Sequence, residues 1–338
     1  MSANLKSEIA AAQKACARYG GFFTKEKFSQ MASCSSLQEV AASIRENSFY
    51  AEGFGNISDA AVNRETLENI LKERLYTDLS GLFGFDFALG SGLYRLSVVD
   101  CEKDLIMSFA RRLNAGKSET FRPSLPEFFE RHLDIDLSAM CAAKDFDDLL
   151  GCIKRRDLLL MVSLCRPEEN KPIDLSFLEY LLEDYFCKKV TEIADGDQKI
   201  ITIFGIRSDV LNLQMILRQK KYFSASPDEI KSRLLSLHGL FPRKKLLALC
   251  DRSAEEIEGF AAESKYSEYF EDALSADIAA GRAVRDLCRK TMRFDTSPSS
   301  VLSAYMLLAK NQYDCLTTLV EGVRYSIGGE KIIQLLPI

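Results

Sequence analysis

Ser36-Leu37-Gln38-Glu39-Val40-Ala41-Ala42-Ser43-Ile44 opens the stretch on which the reading of the fold turns. Leu37, Val40, Ala41 and Ile44 share one face at helical spacing. Ser36 with Glu39 has the form of a capping box, in which the hydroxyl accepts the N3 amide and the carboxylate reaches back to the cap amide. The same face returns 109 residues on: Met31, Leu37 and Ile44 become Met140, Phe146 and Ile153, with Asp145 as the cap and Asp148 three residues later. A further step of 109 leads from Met140 to Leu249, and Ser253-Ala254-Glu255-Glu256 follows, with Ala254, Ile257 and Ala261 at the apolar offsets and Glu258 breaking the stripe. One S-x-x-E is common by chance. Three predicted N-caps in register, Ser36, Asp145 and Ser253, point to a triplicated unit.

A second element supports the first. Leu67, Glu68, Ile70, Leu71, Leu75 and Leu79 correspond, 111 residues on, to Leu178, Glu179, Leu181, Leu182, Phe186 and Val190, with no clear third copy. Asp209-Val210-Leu211-Asn212-Leu213 runs on to Arg218 and then to Ser226-Pro227-Asp228-Glu229. A comparable close is offered by Leu316, Leu319 and Gly322 before Gly328-Gly329, and in the first unit by Asp104-Leu105-Ile106-Met107 through Arg111 and Arg112. The β-branched run Ile200-Ile201-Thr202-Ile203-Phe204 would pass for a buried strand on its own. Its counterpart near Val301 to Leu308 contains Ala, Met and Leu, so both are read as helix. With eight prolines in 338 residues, long helices run uninterrupted, and the expectation is an all-α chain of three tandem homologous helical domains, 1–122, 123–240 and 241–338, divided where Pro and Gly interrupt the pattern near Pro123 and Gly239 to Pro242.

Composition removes several function classes. Hydrophobic residues make up 47% and charged residues 28%, with a formal charge of −5 and no long basic run, so counterion release on nucleic acid is not expected. Apolar stretches are broken by charges before the roughly 20 residues of a bilayer crossing, and the first residues lack the order of a signal peptide; no direct membrane span and a cytoplasmic location are expected. The ten cysteines are scattered, never as C-x-x-C, and only His132 and His238 accompany them. They read as small buried apolar groups of a reducing compartment.

Phe22-Phe23-Thr24-Lys25-Glu26-Lys27-Phe28, leading into Ser36-Leu37-Gln38-Glu39 and Ser48-Phe49-Tyr50, resembles the opening of the membrane-sector d-type subunit family of V-type and A-type ATPases. Asp209-x-x-Asn212-Leu213 through Arg218 resembles the family's middle Asp-x-x-Asn-Leu element. The terminal Glu-x-x-Asn-Leu-Arg-x-Ile-x-x-Gly stands here as Gln312-x-x-Cys315-Leu316-Thr317-x-Leu319-x-x-Gly322, keeping its apolar positions and glycine, and the early Tyr-Ala-x-Ala-Arg is represented only by Ala17-Arg18-Tyr19. The resemblance implies a pseudo-threefold funnel without a catalytic site or cofactor. Its partners would be the central rotor shaft of the soluble ATPase sector and the membrane proteolipid ring, which it would couple for H⁺ or Na⁺ transport from the cytoplasmic side. The alternative that the repeats alone support is a helical-repeat scaffold for some other protein.

Chemical motifs are thin beside this. Asp145-Phe146-Asp147-Asp148 lacks the D-D-x-x-D spacing that holds Mg²⁺ against a diphosphate, and capping accounts for Asp145 and Asp148 more simply. Neither Gly90-Ser91-Gly92 nor Gly328-Gly329-Glu330-Lys331 continues as a phosphate loop; both are read as turns. His132 and His238 have no paired nucleophile and take surface or capping roles in this reading.

Overall fold

The computed structural model describes residues 3–58, 61–89, 92–169, 171–223, 225–270 and 274–338. Gly90 and Ser91, the start of one expected turn, lie outside the described residues. The chain is all-α: helices follow one another from Ala3–Tyr19 to Gly329–Leu335, and the only extended pairing among the described residues is a single bridge between Ile135 and Ile153.

One element order occurs three times. The helices Leu37–Arg45, Phe146–Cys152 and Ala254–Glu263 are each preceded by a short helix and followed by another, Ser48–Phe54, Arg156–Ser163 and Ser267–Phe270. Two long helices come next: Arg64–Leu89 and Tyr94–Asn114 in the first series, Leu175–Ala194 and Gln198–Tyr222 in the second, Ala276–Phe294 and Pro298–Arg324 in the third. Ser36 accepts the Glu39 amide at 3.3 Å, Asp145 the Asp148 amide at 2.8 Å and Ser253 the Glu256 amide at 3.3 Å. Glu256 closes a reciprocal box on Ser253, whereas Glu39 and Asp148 reach one residue further back, to the amides of Ser35 and Lys144. Each box removes two amides from the set that a helix start leaves unsatisfied.

The element without a clear third copy in sequence is the helix Ala276–Phe294. Leu67, Leu178 and Ala279 each stand four residues after a capping side chain, Asn63, Asp174 and Ser275, and each is fully buried. Ala279, Ala280 and Ala283 occupy what larger residues fill elsewhere, so the apolar stripe loses its leucines. A Cβ on Gly281 of this helix would come within 2.6 Å of Pro337, so the C-terminal tail lies directly on its surface.

Long helices pair between series in a cycle. Tyr94–Asn114 packs on Leu175–Ala194, Gln198–Tyr222 on Ala276–Phe294, and Pro298–Arg324 returns to Arg64–Leu89. Ala3–Tyr19 lies against both helices of this last pair, and Gly329–Leu335 lies against Lys25–Ala32. One hydrophobic core accordingly joins Phe28, Met31, Val40, Ile44 and Leu67 to Cys315, Leu319, Val323 and Ile332, although about 280 residues of chain separate the two groups. Gln198–Tyr222 differs from expectation in having the length and apolarity of a bilayer crossing. Within the fold it is a core helix, with Ile203, Phe204, Ile206, Val210, Leu213 and Ile216 buried.

Each second long helix carries a buried polar residue that fastens the loop opening the next series. Asp209 accepts the amides of Gly239 at 3.0 Å, Leu240 at 2.6 Å and Phe241 at 3.0 Å, and the Tyr266 hydroxyl donates to it at 2.7 Å. Gln312 accepts the Phe23 amide at 2.7 Å and donates to the Tyr50 hydroxyl at 2.6 Å. Glu102 accepts the Asp134 amide at 2.5 Å. The register expected for the first unit, which set Asp104 beside Asp209, is corrected by two residues: Glu102 takes this role, and Asp104 turns toward Lys310. Asn212 adds a two-way bond to Leu235, donating to its carbonyl at 3.2 Å and accepting its amide at 2.8 Å.

The joint at Asp209 demands backbone contact. A Cβ on Gly205 would lie 2.5 Å from the His238 carbonyl group, whereas one on exposed Gly259 would meet nothing. Gly205→Ala should therefore cost about 2 kcal/mol or more through overpacking, while Gly259→Ala, in a helix interior, should gain about 0.5–1 kcal/mol. Urea unfolding of the two variants checks both signs.

Candidate functional site

The six long helices enclose a cavity of about 890 Å³. Its apolar patches, among them Leu75, Leu79, Phe186 and Val284, alternate with a large share of the chain's half-buried charge. Reading around the wall, Asp104 pairs with Lys310, Lys310 with Asp100 at 3.4 Å, Asp100 with Lys103 at 3.4 Å and Lys103 with Glu183 at 2.7 Å. Glu183 then pairs with Arg207 at 3.5 Å, and Arg207 with Asp277 at 3.0 Å. The path begins on the first series at Asp104, touches the third at Lys310, returns to the first at Asp100 and Lys103, crosses the second and ends on the third at Asp277. Tyr76 of Arg64–Leu89 donates to Asp104 at 3.3 Å, so the sixth long helix joins it too.

Electrostatics keep this chain ionised. Burial works against the charge of Asp100, but Lys310 and Lys103 outweigh it and hold the carboxyl below its ordinary range. Glu183 is depressed in the same way, burial being overcome by Lys103 and Arg207. For Lys310, burial is overcome by Asp100 and Asp104, which raise its proton affinity. Asp314 is the odd member. It is exposed to the cavity and makes no ion pair among the described residues, and the neighbouring Asp104 and Asp100 raise its proton affinity against the pull of Lys310.

The residues singled out in sequence fall elsewhere. Ser36, Asp145 and Ser253 sit at helix starts and do not line the cavity. Asp147 pairs with Arg166, and no group of three His, Cys, Asp or Glu among the described residues is placed to hold a metal ion. The His132 ring packs against Phe128 and Tyr94, with Nδ1 2.6 Å from the Phe128 carbonyl. Gly328 precedes the last helix, and Gly329 lies so close to Ala32 that a Cβ would come within 2.9 Å of its carbonyl oxygen, which makes this turn a packing contact. Sequence reasoning passed over Asp100, Lys103, Glu183, Arg207 and Lys310. Their signal was present only as charges recurring on the apolar long helices, where solvated faces give the same pattern.

Glu102 was passed over as well. Its three-way comparison with Asp209 and Gln312 shows a missing partner. Tyr266 and Tyr50 supply hydroxyls to the other two joints, but the residue three after the helix start at Arg155 is Leu158, where Tyr50 stands three after Asn47. Glu102 is 1% exposed, and its Oε2 has no hydrogen-bond partner. Burial pushes its carboxyl up to about 7, opposed by the Asp134 amide and reinforced by the Asp134 charge, with Arg95 and Arg155 pulling down.

The six long helices thus surround a charged cavity and are tied from series to series by buried polar joints. The model of the ATP synthase (C/AC39) subunit family matches residues 14–335, and the chain belongs to that family, whose members are structural subunits of rotary V/A-type ATPases. Comparison with curated proteins finds no match.

The raised affinity of Glu102 has a definite pH signature. The folded state holds a proton that the unfolded state releases near pH 4.5, so this group's stabilisation is complete below that pH and is lost as pH rises through about 7. Relative to Glu102→Gln, the wild type should lose on the order of 3 kcal/mol between those limits. Urea midpoints across pH 4.5–8 measure it, and parallel profiles for the two proteins would rule it out.

Proposed function

We propose that this chain is the socket of the central stalk in a rotary V/A-type ATPase. In this reading the cavity receives the tip of the rotor shaft of the soluble sector, and the opposite end of the molecule rests on the proteolipid ring at the cytoplasmic face of the membrane. The three series act as homologous domains around a pseudo-threefold axis, and the chain passes torque between ATP turnover and H⁺ or Na⁺ movement without reacting itself. The observation that carries the reading is a cavity walled by all six long helices and crossed by one path of ion pairs.

Mechanical coupling needs a seat that neither opens nor slips. A sideways load on one helix pair is passed to the next because each second long helix packs on the first long helix of the following series. The wall pairs are partly exposed and individually modest; joined in sequence, they resist displacement of any one helix. A seat of this kind favours a polar shaft tip, and its grip should weaken as salt screens the wall.

Reconstitution tests the proposal. Without this protein, the soluble sector should still hydrolyse ATP while ATP-driven ion pumping is lost. Asp314→Lys, on the cavity wall and outside the ion-pair path, should leave the melting temperature near that of the wild type and weaken shaft binding by about tenfold, or ~1.4 kcal/mol. Pumping that survives removal of the protein, or a shaft bound elsewhere than in the cavity, would replace this reading with that of a helical scaffold for another protein.

A further inference from the structure

The path of ion pairs leaves part of the cavity's charge unmatched, and the remainder is divided by series. Arg64–Leu89 and Tyr94–Asn114 bring five cations and three carboxylates to the wall, the second series Arg207 against Glu179 and Glu183, and the third Lys310 against Asp277 and Asp314. Seven of these groups belong to the path, and Arg64 pairs with Glu68 at 2.9 Å. What is left has one sign on each side. Lys72, Arg111 and Arg112 remain on the first series, Glu179 on the second and Asp314 on the third, none with an ion pair among the described residues. Arg111, Glu179 and Asp314 are exposed, and Lys72 and Arg112 are half-buried.

Equivalent positions in the three series show how the asymmetry arises. Nine and ten residues past the joint residues Glu102, Asp209 and Gln312 stand Arg111-Arg112, Arg218-Gln219 and Glu321-Gly322. Arg218 stacks over Phe223 at 5.8 Å and is not part of the cavity wall, and Glu321 pairs with Arg64 and Arg324. Of the three pairs, the first alone sets cations into the wall, with Arg112 steadied by the Ser108 hydroxyl and by the Phe121 ring at 5.6 Å. Two residues past the joints, Asp104 has Lys310 and Tyr76, Leu211 is apolar, and Asp314 is unmatched. The wall is also deep. Ser97 and Arg112 both line it, which spans roughly 22 Å along one helix, enough for a helical tip to run past several of these charges.

We propose, resting on the socket reading above, that the shaft tip seats in a single rotational register, with an acidic face against Lys72, Arg111 and Arg112 and basic side chains toward Glu179 and Asp314. Three walls of like charge would accept a tip in three orientations. Here a third of a turn carries the acidic face to Glu179 or Asp314 and a basic face to the arginines, so wrong registers are rejected by repulsion as well as by lost attraction. Guanidinium groups suit the first wall because their planar fork takes a carboxylate through two oxygens at a time. The charges of the path contribute little to this choice, being matched within the wall. The same arrangement resists slip, since the shaft cannot turn inside the socket without separating all its matched charges together. A uniformly basic tip fits less well, because it would meet three cations on the first series.

Photo-cross-linking of the full chain to its cognate shaft tests the register. The photoreactive residue p-benzoylphenylalanine replaces Glu68, one turn from Lys72 on the first series, or Thr318, one turn from Asp314 on the third, both on the cavity wall. The first should label one face of the shaft, among Asp and Glu, and the second a different face, among Lys and Arg. Lys72→Glu/Arg111→Glu should weaken shaft binding at least about tenfold. Lys72→Gln/Arg111→Gln should weaken it several-fold and serves if the charge reversal does not fold. Labelling of the same shaft residues from both positions, or an affinity unchanged in the glutamine variant, would overturn the single register and leave the socket standing. Labelling of no shaft residue from either position would overturn the socket reading itself, and the register with it.

Discussion

Backbone amides at the entrance to each series have no helix to satisfy them, and the fold depends on how they are met. Gly239, Leu240 and Phe241 present three such amides at one crossing, and Asp209 takes all of them from a helix that belongs to the preceding series. A buried carboxylate without these donors would be costly, and so would the amides without the carboxylate. Each group makes the other tolerable, and together they fix where one series ends against the next. Gln312 does the same with Phe23, using a neutral amide where Tyr50 completes the set.

The cavity follows from these joints. Because every second long helix is tied outward to the next series, its other face turns to the interior, and Asp100, Arg207 and Lys310, each two residues before a joint residue, come to the wall together. Alternating signs then cost less than any single buried charge would. Lys103 between Asp100 and Glu183, and Arg207 between Glu183 and Asp277, each face two carboxylates. Charges of opposite sign in turn along the wall keep the helices from repelling one another.

Helical class was legible in the sequence because apolar spacing and scarce proline act locally, and the run from Ile200 to Phe204 was resolved by comparison with Val301 to Leu308. Membership of the family was legible from Phe22 through Tyr50 and from Asp209-x-x-Asn212. What stayed hidden depends on contacts between distant segments. Ala279 and Ala283 stand where Leu67 and Leu71, and Leu178 and Leu182, stand in the other two series, so Ala276–Phe294 carries no matching apolar stripe in sequence. The ion-pair path joins residues as far apart as Lys310 and Asp100, and no local pattern distinguishes such charges from solvated ones. Glu102 was displaced by Asp104, a better match in residue type, two positions away; only the direction each side chain faces separates them.

Closure of the molecule sets the order in which it can be completed. Phe28, Met31 and Val40 are made long before Leu319, Val323 and Ile332, the residues that share their core. Throughout synthesis the first short helices therefore lack half of their core and present greasy surface to the cell, while the middle of the chain can already assemble around Asp209. The final helix, Gly329–Leu335, acts as a latch set against Ala32 with no room for a side chain at Gly329. Loss of a few C-terminal residues would thus be felt at the opposite end of the chain, as an N-terminal segment that never finishes folding.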